Sequence, residues 1–506
     1  MGTMGKNFDT LAEIILIDYR WVFVCFFLLP ISFLYNFFYY LRSEIIFRLS
    51  SAPSAHGAKV KSIQRQVRDW RETGMNTKMC TARPGWQTMS FRKPMYKKSM
   101  YQIKCNLVDI LEVNTEKQTV RVEPLVNMKQ LSETLGKLGW TIPIVPELDD
   151  LTVGGLVMGT GVESSSHIYG LFQHICLSFE LVLADGSVAV CSKEENSDLF
   201  YAIPWSYGTL GLLTAVEIKI IPATRFIRLT YEPVKGLKKI VDTFDREAKN
   251  KANHFVEGLQ YNLDEAVIMT GVMVEDNQVE LGKVNEIGKW YKPWFFKHVE
   301  KILRKGEKKI EYLPLVDYYH RHSRSLFWEL QDIVPFGNNL LFRFFLGWLM
   351  PVKVSLLKLT QTEVVKKLYE NNHIIQDLLV PTRTMKRCIE FFHEHVNVYP
   401  LWLCPFNLPN DPGMVHPKEK EEMYIDIGVY GVPHVDNFHP VKTTRAIEDL
   451  VEQCDGFQML YADTYRSREE FYAMFDHKLY NTMRKRLTCE SAFPEVYDKI
   501  NKNVRD

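Results

Sequence analysis

The chain has 506 residues, of which 46% are hydrophobic, and its 62 Lys and Arg residues nearly balance its 61 Asp and Glu residues. This composition is that of a globular protein and excludes a disordered or collagen-like chain, and the length indicates two to three domains. A net charge of +1 argues against a dedicated nucleic-acid-binding protein, which needs a basic excess. Nine cysteines without a C-x-x-C pair indicate neither a disulfide framework nor a zinc ribbon.

An uncharged run of 21 residues near the N-terminus, 21–41, is long enough to predict a transmembrane helix. Arg20 and Arg42 bracket the run, and Lys and Arg are more frequent after it than before it. Because positive residues stay on the cytosolic side, we expect a lumenal N-terminus at 1–20 and a cytosolic body after the helix. A buried core helix and a cleaved signal peptide are the alternatives.

The rest of the chain divides by its residue pattern. Small residues predict a linker at 42–57, and the apolar residues of 60–70 have the spacing of an amphipathic helix. The apolar segment 340–359 contains charged residues and a proline, so we interpret it as core or membrane-surface contact. Further helices are predicted over 128–138 and 447–453, and strands over 111–113, 119–122, 181–183 and 266–274.

The most informative segment runs from Pro146 to His167. Four glycines fall within eight of its positions: Gly154, Gly155, Gly159 and Gly161. Glycine permits positive φ and close approach of the backbone, so we expect a loop whose N–H groups form a nest for a pyrophosphate. A pair of tight turns is the alternative. The dinucleotide-binding spacing G-x-G-x-x-G is incomplete, because Ser164 stands where the third glycine would.

Four segments resemble the FAD-dependent flavoproteins of the vanillyl-alcohol oxidase family: T-V-G-G-L-V-M-G-T-G (152–161), F-E-L-V-L-A-D-G (179–186), E-N-S-D-L-F (195–200) and G-T-L-G-L-L-T (208–214). The resemblance implies an α+β fold, with a two-part FAD-binding domain of the vanillyl-alcohol-oxidase type and an α+β cap domain that holds substrate. It places the FAD-binding domain at 58–223 and the cap domain at 224–455. A C-terminal segment, 456–506, would pack back near the flavin.

The resemblance also assigns FAD-binding residues in two segments. The first segment, which would face the FAD pyrophosphate, consists of Arg83, Pro84, Gly85 and Trp86. The second consists of Thr152, Val153, Gly154, Gly155, Leu156, Val157, Met158, Gly159, Thr160, Gly161, Val162, Glu163, Ser164, Ser165, Ser166 and His167. Many family members join a histidine covalently to the flavin, but Gln87 stands at that position here. FAD is therefore expected to be bound noncovalently.

Other segments are similar to the sterol-reducing members of that family, among them H-F-V-E-G-L (254–259), Y-K-P-W-F-F-K-H-V-E (291–300) and F-Q-M-L-Y-A-D (457–463). This resemblance implies a sterol substrate with an isolated side-chain double bond, and NADPH as the electron donor. It also implies an enzyme of sterol biosynthesis at the endoplasmic reticulum membrane, with a homo-oligomer or other sterol-pathway enzymes as its partners.

The expected reaction sets three requirements for the site. An isolated alkene has no carbonyl to accept charge, so a proton donor must protonate carbon 24 while reduced flavin delivers hydride to carbon 25. An apolar tunnel that excludes water must hold the sterol. The candidate proton donors are Tyr461, Asp463 and Glu257.

Two histidine-containing clusters remain. The segment 318–324, Y-Y-H-R-H-S-R, offers arginines to a nicotinamide phosphate, and the alternative is a charged turn. His393 and His395 lie two positions apart, which does not give a helical metal pair. No metal site is expected.

Two other functions fit the same sequence. A membrane-attached sugar-lactone oxidase or dehydrogenase belongs to the same flavin class and predicts polar substrate contacts in the cap domain. A membrane-tethered binding or scaffold protein that kept the fold without turnover predicts no bound flavin.

Overall fold

The structure is a computed structural model that describes residues 19–49, 51–83, 95–351, 353, 357, 363–418, 422–436 and 438–505. Its strands are, in chain order, β1 (Met79–Thr81), β2 (Tyr101–Ile103), β3 (Ile110–Asn114), β4 (Thr119–Val122), β5 (Trp140–Thr141), β6 (Cys176–Val182), β7 (Val188–Ser192), β8 (Leu212–Lys219), β9 (Ile221–Pro222), β10 (Phe226–Lys235), β11 (Phe255–Asn262), β12 (Glu265–Val274), β13 (Lys309–Pro314), β14 (Ile374–Pro381), β15 (Leu401–Asn407), β16 (Met423–Gly431) and β17 (Phe457–Gln458). Its α-helices are Arg20–Phe23, Leu29–Arg48, Ser51–Glu72, Met128–Gly136, Val153–Met158, Ser166–Tyr169, Ser197–Ala202, Leu237–Lys249, Phe295–Lys305, Leu315–Tyr319, Leu330–Ile333, Leu340–Leu346, Glu363–Asn372, Met385–His395, Pro440–Gln453, Arg468–Met474, Lys478–Arg486, Cys489–Ala492, Val496–Ile500 and Lys502–Arg505.

A long apolar helix stands at the start of the described chain. It runs from Arg20 to Arg48 with a π-helical stretch at Val24–Leu28, and we call it the anchor helix. By length and composition, its part Arg20–Ile46 is long and apolar enough to cross a membrane. The helix extends past both ends of the predicted segment 21–41, because a helix continues through charged residues that favour it. The predicted lumenal segment 1–20 lies almost entirely outside the described residues.

The prediction of a linker at 42–57 is wrong. The anchor helix continues to Arg48, and a second helix, Ser51–Glu72, begins three residues later. Pro53 falls in the first turn of that helix, where a proline removes no intrahelical hydrogen bond, so a composition typical of linkers is compatible with a helix start. The apolar residues at the predicted spacing are buried: Val60, Ile63, Val67 and Trp70.

The first half of the chain forms a five-stranded antiparallel sheet in the order β3-β4-β8-β6-β7. Two small pairs flank it: β1 and β2 are parallel, and β5 and β9 are antiparallel. The predicted helix at 128–138 is present as Met128–Gly136, and the Asn127 side chain caps its first turn by accepting the Gln130 N–H at 2.8 Å.

The second half forms an eight-stranded antiparallel sheet in the order β13-β10-β12-β11-β15-β16-β14-β17. The chain passes from the first sheet system to this one between β9 and β10, where the sequence places the boundary between its two domains. Helices such as Leu237–Lys249 and Phe295–Lys305 cover the sheet with their buried apolar faces. The predicted α+β architecture is confirmed.

The C-terminal segment returns from the eight-stranded sheet to the first domain. Strand β17 pairs with β14, and the helices that follow pack near Thr209. The Tyr480 hydroxyl lies 2.7 Å from Thr209 Oγ1, and Arg484 donates to the Thr209 carbonyl oxygen at 2.9 Å. This segment therefore closes one side of the space between the two sheets.

The glycine-rich segment contains a short helix, Val153–Met158, where a loop is predicted. None of its four glycines has a positive φ. The expectation of left-handed backbone there is therefore wrong. Close packing explains them instead. A Cβ at Gly154 would lie 2.7 Å from Pro124 Cβ, and a Cβ at Gly161 would lie 2.7 Å from Leu156 Cδ2.

Candidate active site

A cavity of about 540 Å³ lies between the glycine-rich segment, the eight-stranded sheet and the C-terminal segment. Much of its wall is apolar, including Leu326, Phe327, Ile375, Trp402, Met459 and Leu460. A cavity of this size and lining suits a largely hydrocarbon ligand together with a cofactor. Its polar groups include a cationic set and an acidic set, and Glu147, Asp150 and Glu329 line the cavity as well.

The cationic set consists of Arg83, Lys97 and Lys499, from three separate parts of the chain. Lys97 Nζ donates to the Arg83 carbonyl oxygen at 2.9 Å, and Arg83 Nη1 donates to Thr152 Oγ1 at 3.4 Å. Burial lowers the pKa of Arg83 and of Lys97. Burial and the charge of Lys97 lower the pKa of Lys499 to about 7. An anion such as a diphosphate would relieve this buried positive charge.

The glycine-rich segment lies next to these cations. Most of its predicted cofactor residues line the cavity: Thr152, Gly154, Gly155, Leu156, Met158, Gly159, Thr160, Gly161 and Val162. A Cβ at Gly155 would approach only Thr152 Oγ1, at 3.2 Å, so this glycine leaves space for a ligand. Val153 and Val157 are buried in the core instead. Pro84, Gly85 and Trp86 lie outside the described residues.

The residues after Val162 do not line the cavity, and their predicted contact with the cofactor stays a prediction. They are Glu163, Ser164, Ser165, Ser166 and His167. Ser164 Oγ accepts a hydrogen bond from the Tyr318 hydroxyl at 2.9 Å, and Glu163 accepts one from Arg321 at 2.7 Å. Both partners belong to the second half of the chain, so this segment holds that half against the glycine-rich segment.

The acidic set lies on two neighbouring strands of the eight-stranded sheet. Asp377 in β14 and Asp426 in β16 both line the cavity, and the hydroxyls of Tyr430 and Tyr461 donate to the Asp377 carboxylate. Burial raises the pKa of Asp377 to about 6, against the opposing effect of the two phenols. Neither carboxyl oxygen of Asp426 has a hydrogen-bond partner among the described residues. Burial and the negative charge of Asp377 raise the pKa of Asp426 well above the usual range of a carboxyl group. We call these four residues the acid group.

Glu257 occupies a different environment from the acid group. Arg321 donates to both of its carboxylate oxygens, at 2.7 and 2.8 Å, and Trp402 Nε1 donates at 3.1 Å. Although burial opposes it, the Arg321 guanidinium holds the pKa of Glu257 well below its usual range. A carboxylate held ionised outside the cavity lining cannot supply a proton at neutral pH. Arg321 already donates hydrogen bonds to Glu257 and Glu163. This argues against the prediction that the segment 318–324 binds the phosphate of a nicotinamide cofactor.

Asp463 also lies outside the cavity lining. Its Oδ2 atom is 3.3 Å from Lys502 Nζ, and its backbone oxygen accepts a hydrogen bond from Gln376 at 3.0 Å. Of the three candidate donors from the sequence, the structure therefore brings only Tyr461 to the cavity.

Comparisons with known proteins agree with this geometry. The FAD binding domain family matches residues 58–192. The chain is 59% identical to the Delta(24)-sterol reductase of Mus musculus over 494 residues, which cover 97% of this chain and 95% of that protein. The chain belongs to the Delta(24)-sterol reductase family. It is also 46% identical to the Delta(24)-sterol reductase homolog of Caenorhabditis elegans, over 99% of this chain and 98% of that protein. The Delta(24)-sterol reductase of Arabidopsis thaliana is 40% identical to this chain, over 96% of this chain and 92% of that protein.

As a member of the Delta(24)-sterol reductase family, the chain is an oxidoreductase with an FAD-binding domain. The cavity fits this cofactor. Arg83, Lys97 and Lys499 would neutralise its diphosphate, and the bare backbone at Gly155 would admit its bulk beside the helix that begins at Val153. The predicted FAD cofactor is therefore confirmed, and the residues that bind it stay a prediction.

The residues that sequence reasoning missed in this Delta(24)-sterol reductase family member are Lys97, Lys499, Asp377, Asp426 and Tyr430. The two aspartates carried a signal in the sequence. Each is a single acid inside an apolar strand, I-I-Q-D-L-L-V and Y-I-D-I-G-V-Y, and a buried acid needs a reason for its burial. The two lysines had no such signal, since lysines are common at surfaces.

Proposed function

We propose that the chain catalyses the FAD-dependent, NADPH-driven reduction of the delta-24 side-chain double bond of sterols, of the desmosterol-to-cholesterol type. The observation that supports this proposal is a single cavity lined by cationic and glycine-rich residues, by the acid group and by apolar side chains. This arrangement supplies the cofactor cradle, the acid and the hydrocarbon pocket that the reaction requires.

The chemistry begins with protonation of carbon 24, which places positive charge on the more substituted carbon 25. Bound FAD, reduced by NADPH, would supply the hydride that carbon 25 needs. The protein has to deliver the proton and exclude water, because water would quench the charge on carbon 25.

We assign the proton to Asp426. Its buried carboxyl has no hydrogen-bond donor among the described residues to stabilise an anion, so it stays protonated at neutral pH. Asp377 is the ionised partner, supported by the hydroxyls of Tyr430 and Tyr461. Burial, together with the negative charge of Asp377, keeps the pKa of Asp426 high. Tyr461, a candidate donor from the sequence, is in this proposal a positioning residue for Asp377.

The apolar wall supplies most of the affinity for the substrate. A sterol is almost entirely hydrocarbon, and burial of apolar surface contributes about 25 cal/mol per Å². Phe327 and Trp402 stack edge-on at 5.4 Å next to the acid group, and Phe327 lies 5.2 Å from the Tyr430 ring. Aromatic rings around a reacting alkene exclude water and favour the cationic charge that protonation creates.

We further propose that the protein works at the endoplasmic reticulum membrane with its catalytic body in the cytosol. The substrate resides in the bilayer, NADPH is a cytosolic reductant, and the anchor helix provides the attachment. Other sterol-pathway enzymes, or a second copy of this chain, are the partners that such a location favours.

A substrate comparison tests the proposed reaction. Purified protein is incubated either with NADPH and desmosterol or with an aldonolactone and an artificial electron acceptor, and substrates and products are followed by mass spectrometry. We expect reduction of desmosterol and no reaction of the lactone. Oxidation of the lactone alone would support a sugar-lactone oxidase or dehydrogenase, and protein that contains no flavin and converts neither substrate would support a binding or scaffold protein.

A further inference from the structure

We infer that the anchor helix lies along one side of the folded body, in the plane of a single membrane leaflet, and does not cross the bilayer. The membrane-binding surface would be formed by the outer face of the anchor helix together with the helix Leu340–Leu346. This inference concerns attachment and does not depend on the proposed reaction.

Both ends of the anchor helix contact the folded body. At the first end, the buried Arg20 donates from Nη2 to the Leu357 carbonyl oxygen at 3.4 Å. Near the other end, Arg42 forms an ion pair with Asp109 at 2.6 Å. These arginines are 22 positions apart, which is about 33 Å along a helix at 1.5 Å per residue. The body therefore runs beside a stretch of helix as long as the hydrocarbon core is thick.

The middle of the anchor helix is also held by the body. Ser32 Oγ accepts a hydrogen bond from the Lys353 backbone N–H at 3.1 Å, and the Tyr39 hydroxyl donates to Gln130 Oε1 at 3.0 Å. One stripe of the helix is buried at the spacing of a packed helical face: Val24, Cys25, Leu28, Leu29 and Ser32. The helix thus packs on protein along its whole length and does not project from the body.

The contacts at the two ends come from the two domains that share the cavity. The Arg20 guanidinium lies 5.9 Å from the ring of Tyr369, in the helix Glu363–Asn372 of the second half of the chain. Asp109, which pairs with Arg42, belongs to the first domain. Because the two domains enclose one cavity, they lie on the same side of the membrane. A crossing helix would require charged groups of the body on both sides.

The face of the anchor helix that points away from the body is apolar and exposed. Its exposed side chains include Phe26, Phe27, Ile31, Leu34, Phe38 and Leu41. The helix Leu340–Leu346 continues this surface, since the ring of Phe33 lies 5.3 Å from that of Trp348 just beyond it. Leu341 and Phe344 are 67% and 62% exposed. A continuous apolar patch of this extent on two helices matches the hydrocarbon boundary of one leaflet.

A small cleft lies beside the anchor helix and next to the active-site cavity. It has a volume of about 60 Å³, and Asn36 and Tyr39 of the anchor helix line it. Leu148, Asp150 and Leu326 line both this cleft and the main cavity. An in-plane helix therefore brings this side of the cavity close to the leaflet that holds a membrane-dissolved substrate.

A protease-protection experiment on the full chain tests the inference. Epitope tags are placed at the N-terminus and at the C-terminus, and intact microsomes are treated with a protease. We expect both tags to be removed, because both lie on the same side of the membrane. An N-terminal tag that is protected until detergent opens the microsomes would overturn the inference.

A binding experiment tests the second helix of the surface. The Leu341→Glu/Phe344→Glu variant is measured for partition onto vesicles of phosphatidylcholine and phosphatidylserine, and we expect a loss of about tenfold or more, since two buried apolar side chains are lost from the lipid contact. Leu281→Glu is the matched control, because Leu281 is 85% exposed elsewhere on the chain. Flavin absorbance, unchanged in both variants, verifies folding. Equal partition of the two variants would contradict the assignment of Leu340–Leu346 to the membrane surface.

Discussion

Asp377 and Asp426 lie on adjacent strands of one sheet and line the same cavity, but only Asp377 receives hydrogen bonds from the described side chains. Two carboxyl groups in one buried site cannot both ionise without a large electrostatic cost. Their surroundings therefore separate their pKa values, as in other sites that use one carboxylate and one carboxylic acid. The proposed mechanism therefore assigns the anion to Asp377 and the acid to Asp426.

Replacement of the acid should stop the chemical step. In Asp426→Asn the proton source is lost while the side-chain volume is kept, and we expect sterol reduction to fall about 100- to 10,000-fold, the usual contribution of a general acid. The measurement is the single-turnover rate at which desmosterol reoxidises NADPH-reduced flavin. Asp276→Asn, at an exposed position, is the matched control and should react at the native rate. A rate within a few-fold of native for Asp426→Asn would exclude it as the donor.

The pH dependence of that rate should report the coupling between the two acids. The donor must be protonated, so the native rate should fall at alkaline pH as Asp426 ionises. In Asp377→Asn the neighbouring negative charge is absent, so the pKa of Asp426 should be lower and the alkaline limb of the rate profile should move to lower pH. The rate of the native enzyme should also change near pH 6, where Asp377 titrates. The rate of the Asp377→Asn variant should show no change there. Identical pH profiles for the two proteins would contradict the coupling.

The cofactor cradle can be tested at Gly155 without disturbing the core. A side chain there meets only Thr152 Oγ1 and would extend into the space assigned to FAD. We expect Gly155→Trp to fold and to contain almost no flavin, as measured by visible absorbance and by circular dichroism. Gly282→Trp, where a Cβ has nothing within 4 Å, should keep a full complement of flavin. Stoichiometric flavin in Gly155→Trp would show that the cofactor lies elsewhere.

The buried ion pairs that Arg321 forms with Glu163 and Glu257 should be essential for the stability of the fold. We do not expect them to supply the proton of the reaction. In Arg321→Met, Glu163 and Glu257 lose the guanidinium that each contacts at 2.7 Å, and we expect a loss of about 3–5 kcal/mol in the free energy of unfolding by urea. Arg304→Met, which removes an exposed ion pair with Glu300, should cost less than about 1 kcal/mol. Equal losses for the two variants would mean that the buried pair does not hold the domains together.

Local patterns predicted much of the fold. The helical spacing of 60–70 and the strand-like pattern of 266–274 both correspond to observed elements, Ser51–Glu72 and β12, because periodic burial of apolar residues acts over a few residues. The linker at 42–57 was wrong since small residues do not prevent a helix that the surrounding body stabilises by packing.

The candidate site was harder to predict because long-range pairing assembles it. The segment 152–162 was found from its glycines, although none of them has a positive φ: Gly154 and Gly161 allow close packing, and Gly155 leaves space for a ligand. Asp377 and Asp426 are 49 positions apart and meet through the pairing of β14 with β16. Arg83, Lys97 and Lys499 come together only when the C-terminal segment returns to the first domain. No local pattern contains that information.

The most direct test of the proposed function separates the two halves of the reaction. Purified protein is placed under anaerobic conditions, NADPH is added until the bound flavin is bleached, and desmosterol is then added. The proposed function predicts that the flavin absorbance returns as the sterol is reduced. Flavin that NADPH bleaches but desmosterol does not reoxidise would contradict the assignment of a sterol double bond as the substrate.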